Sequence, residues 1–449
     1  MEGRLFHSES ISLLLVLLVN TLQTTHETPS LAHFTFTSQD AILSSLAQVA
    51  TTLEHLRRFR SSVFALSCKR GHSSNSKSHA RQFRNLTRTI EAFADAIDIE
   101  IRAFDGWCAD QEAAICSVYT STPSIKVANA DVIASLLHLS KSLSDTFEHI
   151  FPVLLWTIRD VMSNSLSSSS QFNISHMGIG VRMSAVVTSR LLDVLFSSVQ
   201  AHLEREEVKT SGRLMRVFVK TAEPVWGMCG RWLKDGMGSG LFRPAHASLN
   251  EQLSRPEELD DEFFIEEKIF NFGGEAPVGL LNPQFWQEGY GLREGVEPED
   301  GHDDPVHRQK AIPMFLEHVA AMILRAGKAV GLIRALGSDM DIFGDGHWQS
   351  FKELVAVEDT GENSSKNPGG LFSVSVDTLS RLIYERLLPH CQMVGASLTK
   401  ILVGECRLWK HLEAIEDLML MRRGDAMSHF IDVVFNKVSL SGRGNRSLK

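Results

Sequence analysis

Apolar residues recur along most of this chain at alternating spacings of three and four, and this period limits the fold more than any other feature of the sequence. Residues spaced in this way share one face of an α-helix. The stripes comprise Ile42, Leu46, Val49, Leu53 and Leu56; Leu86, Ile90, Phe93, Ile97, Ile101 and Phe104; Val132, Leu136, Leu139, Leu143, Phe147 and Ile150; Leu192, Phe196, Val199 and Leu203; Leu214, Phe218, Thr221, Val225 and Met228; and Leu316, Val319, Ile323, Ala326, Val330 and Ile333. The sequence therefore predicts a succession of amphipathic helices.

Signals for β-structure are weak by comparison. The Asp-Gly pair at Asp345 lacks the alternating apolar flanks that a hairpin between two strands requires. Sequence repeats with a period of about 20–50 residues, which are typical of solenoids, are also absent. We predict an all-α fold.

The composition is that of a folded chain with an excess of acidic residues. Of 449 residues, 43% are hydrophobic and 22% are charged, so a core can form without disulfides or metals. The net charge of −9 disfavours nucleic acid as a partner. Residues 251–304 hold 16 Asp and Glu against 3 Lys and Arg. We interpret this acidic segment as a solvated loop, with a docking strip for a basic partner as the alternative.

Two features bear on the cellular compartment. The cysteines form no CxxC pair and are scattered along a long chain: Cys68, Cys108, Cys116, Cys229, Cys391 and Cys406. Free buried thiols in a reducing compartment are therefore predicted, rather than disulfides or zinc ligands. The apolar run at residues 11–19 is much shorter than the ~20 residues that span a bilayer, and no signal-peptide cleavage site follows it. We predict a buried first helix there, an intracellular chain and no membrane partner.

The chain lacks the common signatures of catalysis. The patterns GxSxG, HExxH and GxxxxGK[ST] are absent. The glycine-rich run at 236–240 follows no predicted strand, which favours a turn over a dinucleotide site. Cys406 and His411 are five residues apart, a spacing that does not align a nucleophile with its base on a helix. The sequence predicts no enzyme, no cofactor and no metal site.

Aromatic residues are concentrated in the middle of the chain instead. Large aromatic side chains usually anchor loops to a helical core. The alternative is a protein–protein interface, where Trp and Tyr are enriched. The residues concerned are Trp226, Trp232, Phe263, Phe264, Phe285, Trp286 and Tyr290.

Several of these aromatics belong to short motifs that follow one another in order. The motifs are AEPVWGMCGRWLKDGM at 222–237, EFFI at 262–265, FWQEGYGLR at 285–293, PMFL at 313–316, AGKAVGLIRALG at 326–337 and LMLMRRGDAMSHFID at 418–432. In this order they resemble the gamma-tubulin complex components, the grip-motif proteins of spindle pole bodies and centrosomes. The form FW-x3-Y-x-LR looks most like the divergent fifth- or sixth-type members.

The resemblance implies an elongated stack of helical bundles with two grip regions. In this family the N-terminal region contacts neighbouring components laterally and the C-terminal region holds gamma-tubulin, so that an array of components templates microtubule nucleation. For this chain it implies a non-enzymatic scaffold subunit of the gamma-tubulin ring complex, in a hetero-oligomer with gamma-tubulin and other components. It further implies a place in the cytoplasm and cytoskeleton, at microtubule-organising centres and spindle poles, in mitotic spindle assembly.

The resemblance also assigns residues and domains. Arg422, Arg423 and Asp425 are expected on the gamma-tubulin side. Residues 1–340 are expected to form an N-terminal grip-type bundle region that includes the acidic segment, followed by a linker at 341–370 and the start of the C-terminal region at 371–449. The motif residues expected to serve the structure are Trp226, Trp232, Gly236, Phe263, Phe264, Trp286, Tyr290, Pro313, Phe315, Gly327, Lys328, Gly424 and Phe430.

The chain departs from the family pattern near its C-terminal end. Ala426 stands where family members usually have an aromatic residue, and Arg422 and Arg423 replace a more neutral pair. Because Lys449 follows soon after this motif, we expect most of the gamma-tubulin-binding region to be missing, and with it most of the affinity for gamma-tubulin. A general helical adaptor or vesicle-tethering subunit is the alternative, because stacked helices would give the same periodicity; only the ordered aromatic motifs favour the scaffold.

Overall fold

The computed structural model describes residues 36–72, 87–120, 136–147, 149–162, 184–237, 261–268, 283–295, 310–336, 348–356, 375–420, 422 and 424–444. The apolar run at 11–19 lies outside the described residues, and so do positions 251–260, 269–282 and 296–304 of the acidic segment.

Helices dominate the described part of the chain, which confirms the predicted all-α fold. They are α1 (Phe36–His72), α2 (Arg88–Thr120), α3 (Leu136–Phe147), α4 (Ile150–Met162), α5 (Ser184–Glu204), α6 (Val208–Asp235), α7 (Pro283–Glu288), α8 (Glu317–Ala335), α9 (Phe351–Ala356), α10 (Val376–Lys400), α11 (Leu408–Met419) and α12 (Gly424–Gly444). A 3-10 turn at Met314–Leu316 precedes α8, and a π-helical segment at Ile401–Glu405 follows α10.

The predicted apolar stripes form the buried faces of these helices. The described positions of the stripes on α2, α6 and α8 are buried throughout. The stripe from Val132 to Ile150 continues from one helix into the next, because α3 ends at Phe147 and α4 begins at Ile150. Pro152 lies in the first turn of α4, where its missing N–H costs no helical hydrogen bond.

The helix α6 lies at the centre of the fold. It packs against α2, α5, α8 and α9, and α8 packs in turn along α10. One main core unites buried residues from α1 to α10. A smaller cluster of Val330, Ile333, Val394 and Ile401 joins the ends of α8 and α10. The predicted linker at 341–370 includes α9, which packs against α6. The proposed division into domains stays a prediction.

Ion pairs join the helices of the N-terminal half. Asp98 of α2 binds Arg60 of α1 and Arg102 of its own helix. Burial opposes the ionisation of Asp98, but the hydrogen bonds from Arg102 and Arg60 outweigh it and hold the pKa of this carboxyl below its usual value. Glu100 of α2, which is buried, accepts a hydrogen bond from Arg213 of α6 at 2.8 Å. These pairs fix α2 between α1 and α6.

A two-stranded antiparallel ribbon adds a small amount of sheet that the sequence did not predict. Strand β1 is Ile265–Glu267 and strand β2 is Tyr290–Leu292. Ile265 pairs with Leu292, and Glu267 with Tyr290. Both strands lie in the acidic segment, so the described parts of this segment include regular structure and are more than a solvated loop.

One acidic residue of this segment is buried and performs a structural task. The carboxylate of Glu262 accepts hydrogen bonds from the backbone N–H groups of Arg88 and Thr89, both at 3.1 Å, and from the Thr89 hydroxyl at 3.0 Å. Thr87 accepts the N–H of Ile90 at 3.1 Å. The first N–H groups of a helix lack partners within the helix and favour negative charge. Glu262 and Thr87 together therefore cap α2.

Candidate functional site

Five of the six sequence motifs meet around α6 and α8. The residues that form this meeting point are buried, and we refer to them as the motif centre. The motif centre comprises Trp226, Trp232, Gly236, Phe263, Phe264, Tyr290, Phe315 and Gly327.

The contact between Trp232 and Gly327 sets the distance between α6 and α8. The indole N–H of Trp232 donates a hydrogen bond to the carbonyl oxygen of Ile323 at 3.0 Å. A Cβ atom at Gly327 would lie 2.1 Å from Nε1 of Trp232, which is far inside contact distance. A glycine is therefore required at position 327 for the two helices to approach this closely.

A second glycine contact fixes the chain where α6 ends. Gly236 has a φ of 68°, a conformation that favours glycine at the end of a helix. A Cβ atom there would lie 2.5 Å from the backbone nitrogen of Gly331. The next N–H, that of Met237, donates to the carbonyl oxygen of Gly327 at 3.3 Å. The chain thus crosses α8 over two glycines, at 327 and 331.

The ribbon of β1 and β2 covers Trp232 from the side. The ring centres of Tyr290 and Phe263 lie 5.4 Å and 6.5 Å from that of Trp232. The side chain of Arg293 donates to the carbonyl oxygen of Phe263 at 2.8 Å, and its backbone N–H donates to that of Phe264 at 2.8 Å. The motifs at 262–265 and 285–293 are therefore joined to each other and to α6.

Trp226 forms the second half of the motif centre, against α9. Its indole N–H donates to the carbonyl oxygen of Gln349 at 2.9 Å. The ring centres of Trp348 and Phe351 lie 4.9 Å and 5.7 Å from that of Trp226. Gly230 leaves room for Trp348, because a Cβ atom there would lie 2.6 Å from the indole. These contacts attach α9 and the residues before it to α6.

The PMFL motif brings α5 into the motif centre. The ring centre of Phe315 lies 5.5 Å from that of Phe218 and 5.9 Å from that of Phe351. The turn that carries Phe315 is held by Asp193 of α5, whose carboxylate accepts the backbone N–H of Met314 at 2.8 Å. Burial raises the pKa of Asp193 to about 6, although this hydrogen bond favours the ionised form.

Three further motif residues lie at the edge of the motif centre. Pro313 is buried directly before the 3-10 turn, and Trp286 is half-buried against the main core. The Lys328 ammonium group donates to the carbonyl oxygen of Gln287 at 2.8 Å. Burial lowers the pKa of Lys328, and the nearby charge of Lys268 lowers it further. The Lys328 contact ties α7 to α8.

Five cysteines whose side chains the structure describes are free thiols: Cys68, Cys108, Cys229, Cys391 and Cys406. Burial raises the pKa of Cys229, in α6, and raises that of Cys108 to about 12 and that of Cys391 to about 11. Thiols with raised pKa values are poor nucleophiles. The prediction of buried thiols is confirmed for Cys108 and Cys229 and is wrong for Cys68, which is exposed. The motif centre therefore offers packing surfaces rather than an activated nucleophile.

The sixth motif lies apart from the motif centre, on the last two helices. The helix α12 begins at Gly424, and Phe430 on this helix is 51% exposed, whereas the aromatic residues of the motif centre are buried. Arg422 and Asp425 are exposed. The side chain of Arg423 lies outside the described residues. Arg422 and Asp425 thus lie on the surface, and the expectation that this motif faces gamma-tubulin stays a prediction.

Several residues on which the motif centre depends were not singled out from the sequence, although Gly331 and Glu262 lie within the motifs at 326–337 and 262–265. The four-residue spacing of glycines at 327 and 331 indicates a close helix contact and could have identified Gly331. Asp193, Glu262, Trp348 and Phe351 have no local signal, because the groups that they contact lie far away in the sequence.

Within the described residues, no helix has the length and apolar character needed to cross a bilayer. No group of three His, Cys, Asp or Glu side chains in the same part of the chain could hold a metal ion.

The aromatic and glycine motifs serve helix packing. The fold and the motif centre together define a structural, all-α protein built on helix-to-helix contacts.

Comparison with known proteins identifies the family. The sequence matches the family described as "Gamma tubulin complex component N-terminal" over residues 2–405, so the chain belongs to the gamma-tubulin complex components, as its motifs predicted. This is a family of structural components rather than of enzymes. The chain is similar to gamma-tubulin complex component 3 of Arabidopsis thaliana, with 21% identity over 292 residues. The aligned region covers 62% of this chain and 28% of that relative, so the chain spans little more than a quarter of the relative's length.

Proposed function

We propose that this chain is a non-enzymatic scaffold subunit of a gamma-tubulin ring complex and supports microtubule nucleation. The family match over residues 2–405 carries this proposal. The motif centre supports it, because the motif aromatics from Trp226 to Phe315 are used in internal packing and leave the outer helix faces for partners. The proposed partners are gamma-tubulin and other complex components, in a hetero-oligomer. The proposed location is the cytoplasm, at microtubule-organising centres and spindle poles.

We place the lateral contact with a neighbouring component on the N-terminal bundle. Trp156 of α4 is 55% exposed there, and tryptophan is enriched among the residues that dominate binding energy at protein interfaces. The fifth- or sixth-type assignment and the domain division at 341–370 remain part of this proposal.

We place gamma-tubulin on the C-terminal side, near Arg422, Arg423 and Asp425. A stable interface buries about 1,200–2,000 Å² in total. The helices α11 and α12 carry these residues or flank them, and they would contribute part of such an area.

The test is a pair of binding measurements with the purified chain, one against a neighbouring component and one against gamma-tubulin. Trp156→Ala should weaken binding to the neighbour, whereas Arg386→Ala, an exposed substitution on α10 outside the N-terminal bundle, should not. Failure to bind any gamma-tubulin complex component would contradict the scaffold function while leaving the family membership intact.

The gamma-tubulin contact has its own matched pair of variants. Arg422 forms an ion pair with Glu416 at 3.0 Å. Arg422→Ala removes both the ion pair and the proposed contact, whereas Glu416→Gln removes the ion pair alone. Weaker gamma-tubulin binding in Arg422→Ala only would support the proposed contact. An equal loss in both variants would assign the effect to the ion pair.

A further inference from the structure

The helix α11 exposes an apolar stripe. Leu408, Leu412, Ile415 and Met419 follow the spacing four, three, four and are between 36% and 77% exposed. The principal neighbour of α11 among the described elements is the π-helical segment before it. An isolated helix of 12 residues is marginal in water. This helix therefore has an unused apolar face that a second surface would stabilise.

The helix α12 has a stripe with the same spacing. Met427, Ile431, Val434 and Val438 are again separated by four, three and four residues. Ile431, Val434 and Val438 are 40% exposed or more, and Met427 is half-buried. The two apolar faces are not packed against each other in the structure. Two unpartnered faces of equal length thus follow one another in the chain.

The two stripes are mirror images about position 423. If the chain turns back there, Met419 lies opposite Met427 and Ile415 lies opposite Ile431. The same fold-back places the remaining members of each stripe in register, Leu412 with Val434 and Leu408 with Val438. All four pairs share one register, as the apolar positions of two antiparallel helices require.

Two flanking aromatic residues fit the same register. In this register Trp409 and Phe435 lie beside the stripes, on the same edge of the paired helices. Their positions along the helix axis differ by one turn or less. They are 66% and 67% exposed, the highest exposure of any aromatic residue in the described chain. Pairing of the helices would place these two rings side by side, in a contact that aromatic pairs favour.

The connection between the helices has a suitable length. Four residues separate Met419, where α11 ends, from Gly424, where α12 begins. Connections of about 2–8 residues are usual between antiparallel neighbouring helices. We propose that α11 and α12 close on each other as an antiparallel helical hairpin in this register, and that the structure shows the open form of the pair. Opening then presents two apolar helix faces to a partner, and closing hides them.

Disulfide trapping in the full chain tests the register. Ile415→Cys with Ile431→Cys places two thiols opposite each other in the closed hairpin. Ile415→Cys with Val438→Cys is the control, because its second thiol lies two helical turns, about 10 Å, from the first. Mild oxidation in dilute solution should link the first pair at least tenfold more than the second. Mass spectrometry of the linked peptides measures both yields, and it distinguishes disulfides of the engineered cysteines from disulfides that involve native ones. Equal linking of both pairs would overturn the proposal. Disulfides between two chains would also overturn it, because they would show that the stripe packs against a second copy of the protein.

Hydrogen exchange provides a second test without engineered thiols. Val434 lies on the stripe of α12, whereas the adjacent Val433 lies off it. Val434→Asp should open the hairpin and raise amide exchange in α11 about tenfold, whereas Val433→Asp should leave α11 unchanged. An equal response to both substitutions would contradict the pairing of the two helices.

Discussion

The motif centre buries its aromatic residues, whereas the C-terminal helices α11 and α12 expose theirs. Trp232 in the motif centre is 5% exposed, whereas Trp409 on α11 is 66% exposed. The difference lies in what surrounds each indole. Trp232 has a carbonyl acceptor at Ile323 and a glycine at 327 that admits its ring, and both lie on a helix that packs against its own. Aromatic content alone therefore does not identify a core; an acceptor and a small residue on the facing helix do.

The largest expected effect is that of removing the indole from the motif centre. Trp232→Ala should lower the free energy of unfolding by about 3–5 kcal/mol, because a large cavity opens and a buried hydrogen bond is lost. Trp409→Ala is the matched control, and its effect should stay below about 1.5 kcal/mol, the size of the aromatic contact proposed with Phe435. Denaturant titration of both variants measures the difference. Similar losses in the two variants would remove the contrast between the two regions.

The glycine contact gives the next largest effect. Gly327→Ala places a Cβ atom 2.1 Å from the Trp232 nitrogen, and overpacking of this kind typically costs about 1–3 kcal/mol. Gly395→Ala on α10 is the control, since no atom lies within 4 Å of its Cβ position. In a helix interior, that substitution should stabilise the protein by about 0.5–1 kcal/mol. Opposite signs in thermal unfolding are expected. A stabilising Gly327→Ala would show that α6 and α8 are further apart than described.

Loss of the acidic cap on α2 should have an effect of about 1–2 kcal/mol. Glu262→Ala leaves the N–H groups of Arg88 and Thr89 buried without their acceptor. Glu294→Ala, at an exposed position of the same acidic segment, should change the free energy of unfolding by less than about 0.5 kcal/mol. Amide exchange in the first turn of α2 locates the effect. Unchanged protection there in Glu262→Ala would contradict the cap.

The smallest effect is a pH dependence from Asp193. The pKa of this carboxyl is raised from its ordinary 3.8 to about 6, so the folded protein holds its proton more tightly than the unfolded chain does. Its contribution to stability is fully present below the unfolded pKa and is lost as the pH rises through about 6. Asp193→Asn removes this titration. Between about pH 5 and pH 7 the free energy of unfolding should therefore fall less in the variant than in the unsubstituted protein, by on the order of 1 kcal/mol after allowance for partial exposure. Asp110→Asn, at an exposed position on α2, is the control. An unaltered pH profile in Asp193→Asn would count against the raised pKa.

The helices of this protein could be predicted because their signal is local. The stripes on α2, α6 and α8 repeat over several turns, so their period alone defines the buried face. The ribbon could not be predicted, since strands of three residues are too short to show an alternation. The interpretation of the acidic segment as loop overlooked Glu262, because its role depends on a helix end that is distant in the sequence.

The members of the motif centre are all found in the sequence motifs, but the sequence does not predict how they pack together. The aromatic motifs identified Trp226, Trp232 and Tyr290, but their partners on α8 and α9 have no pattern that links them to α6. The stripes of α11 and α12 present the reverse case. Their spacing is plain in the sequence, yet their mirror relation becomes visible only when the ends of both helices are known.

The cap on α2 has a consequence for how the protein is made. Thr89 leaves the ribosome 173 residues before Glu262, the residue that completes its first turn. At synthesis rates of about 5–20 residues per second, this interval is on the order of 10 s. During that time the nascent N-terminal bundle has exposed amide groups and an uncovered face. The early half of the chain is therefore most exposed to chaperones and misfolding before the ribbon has been translated.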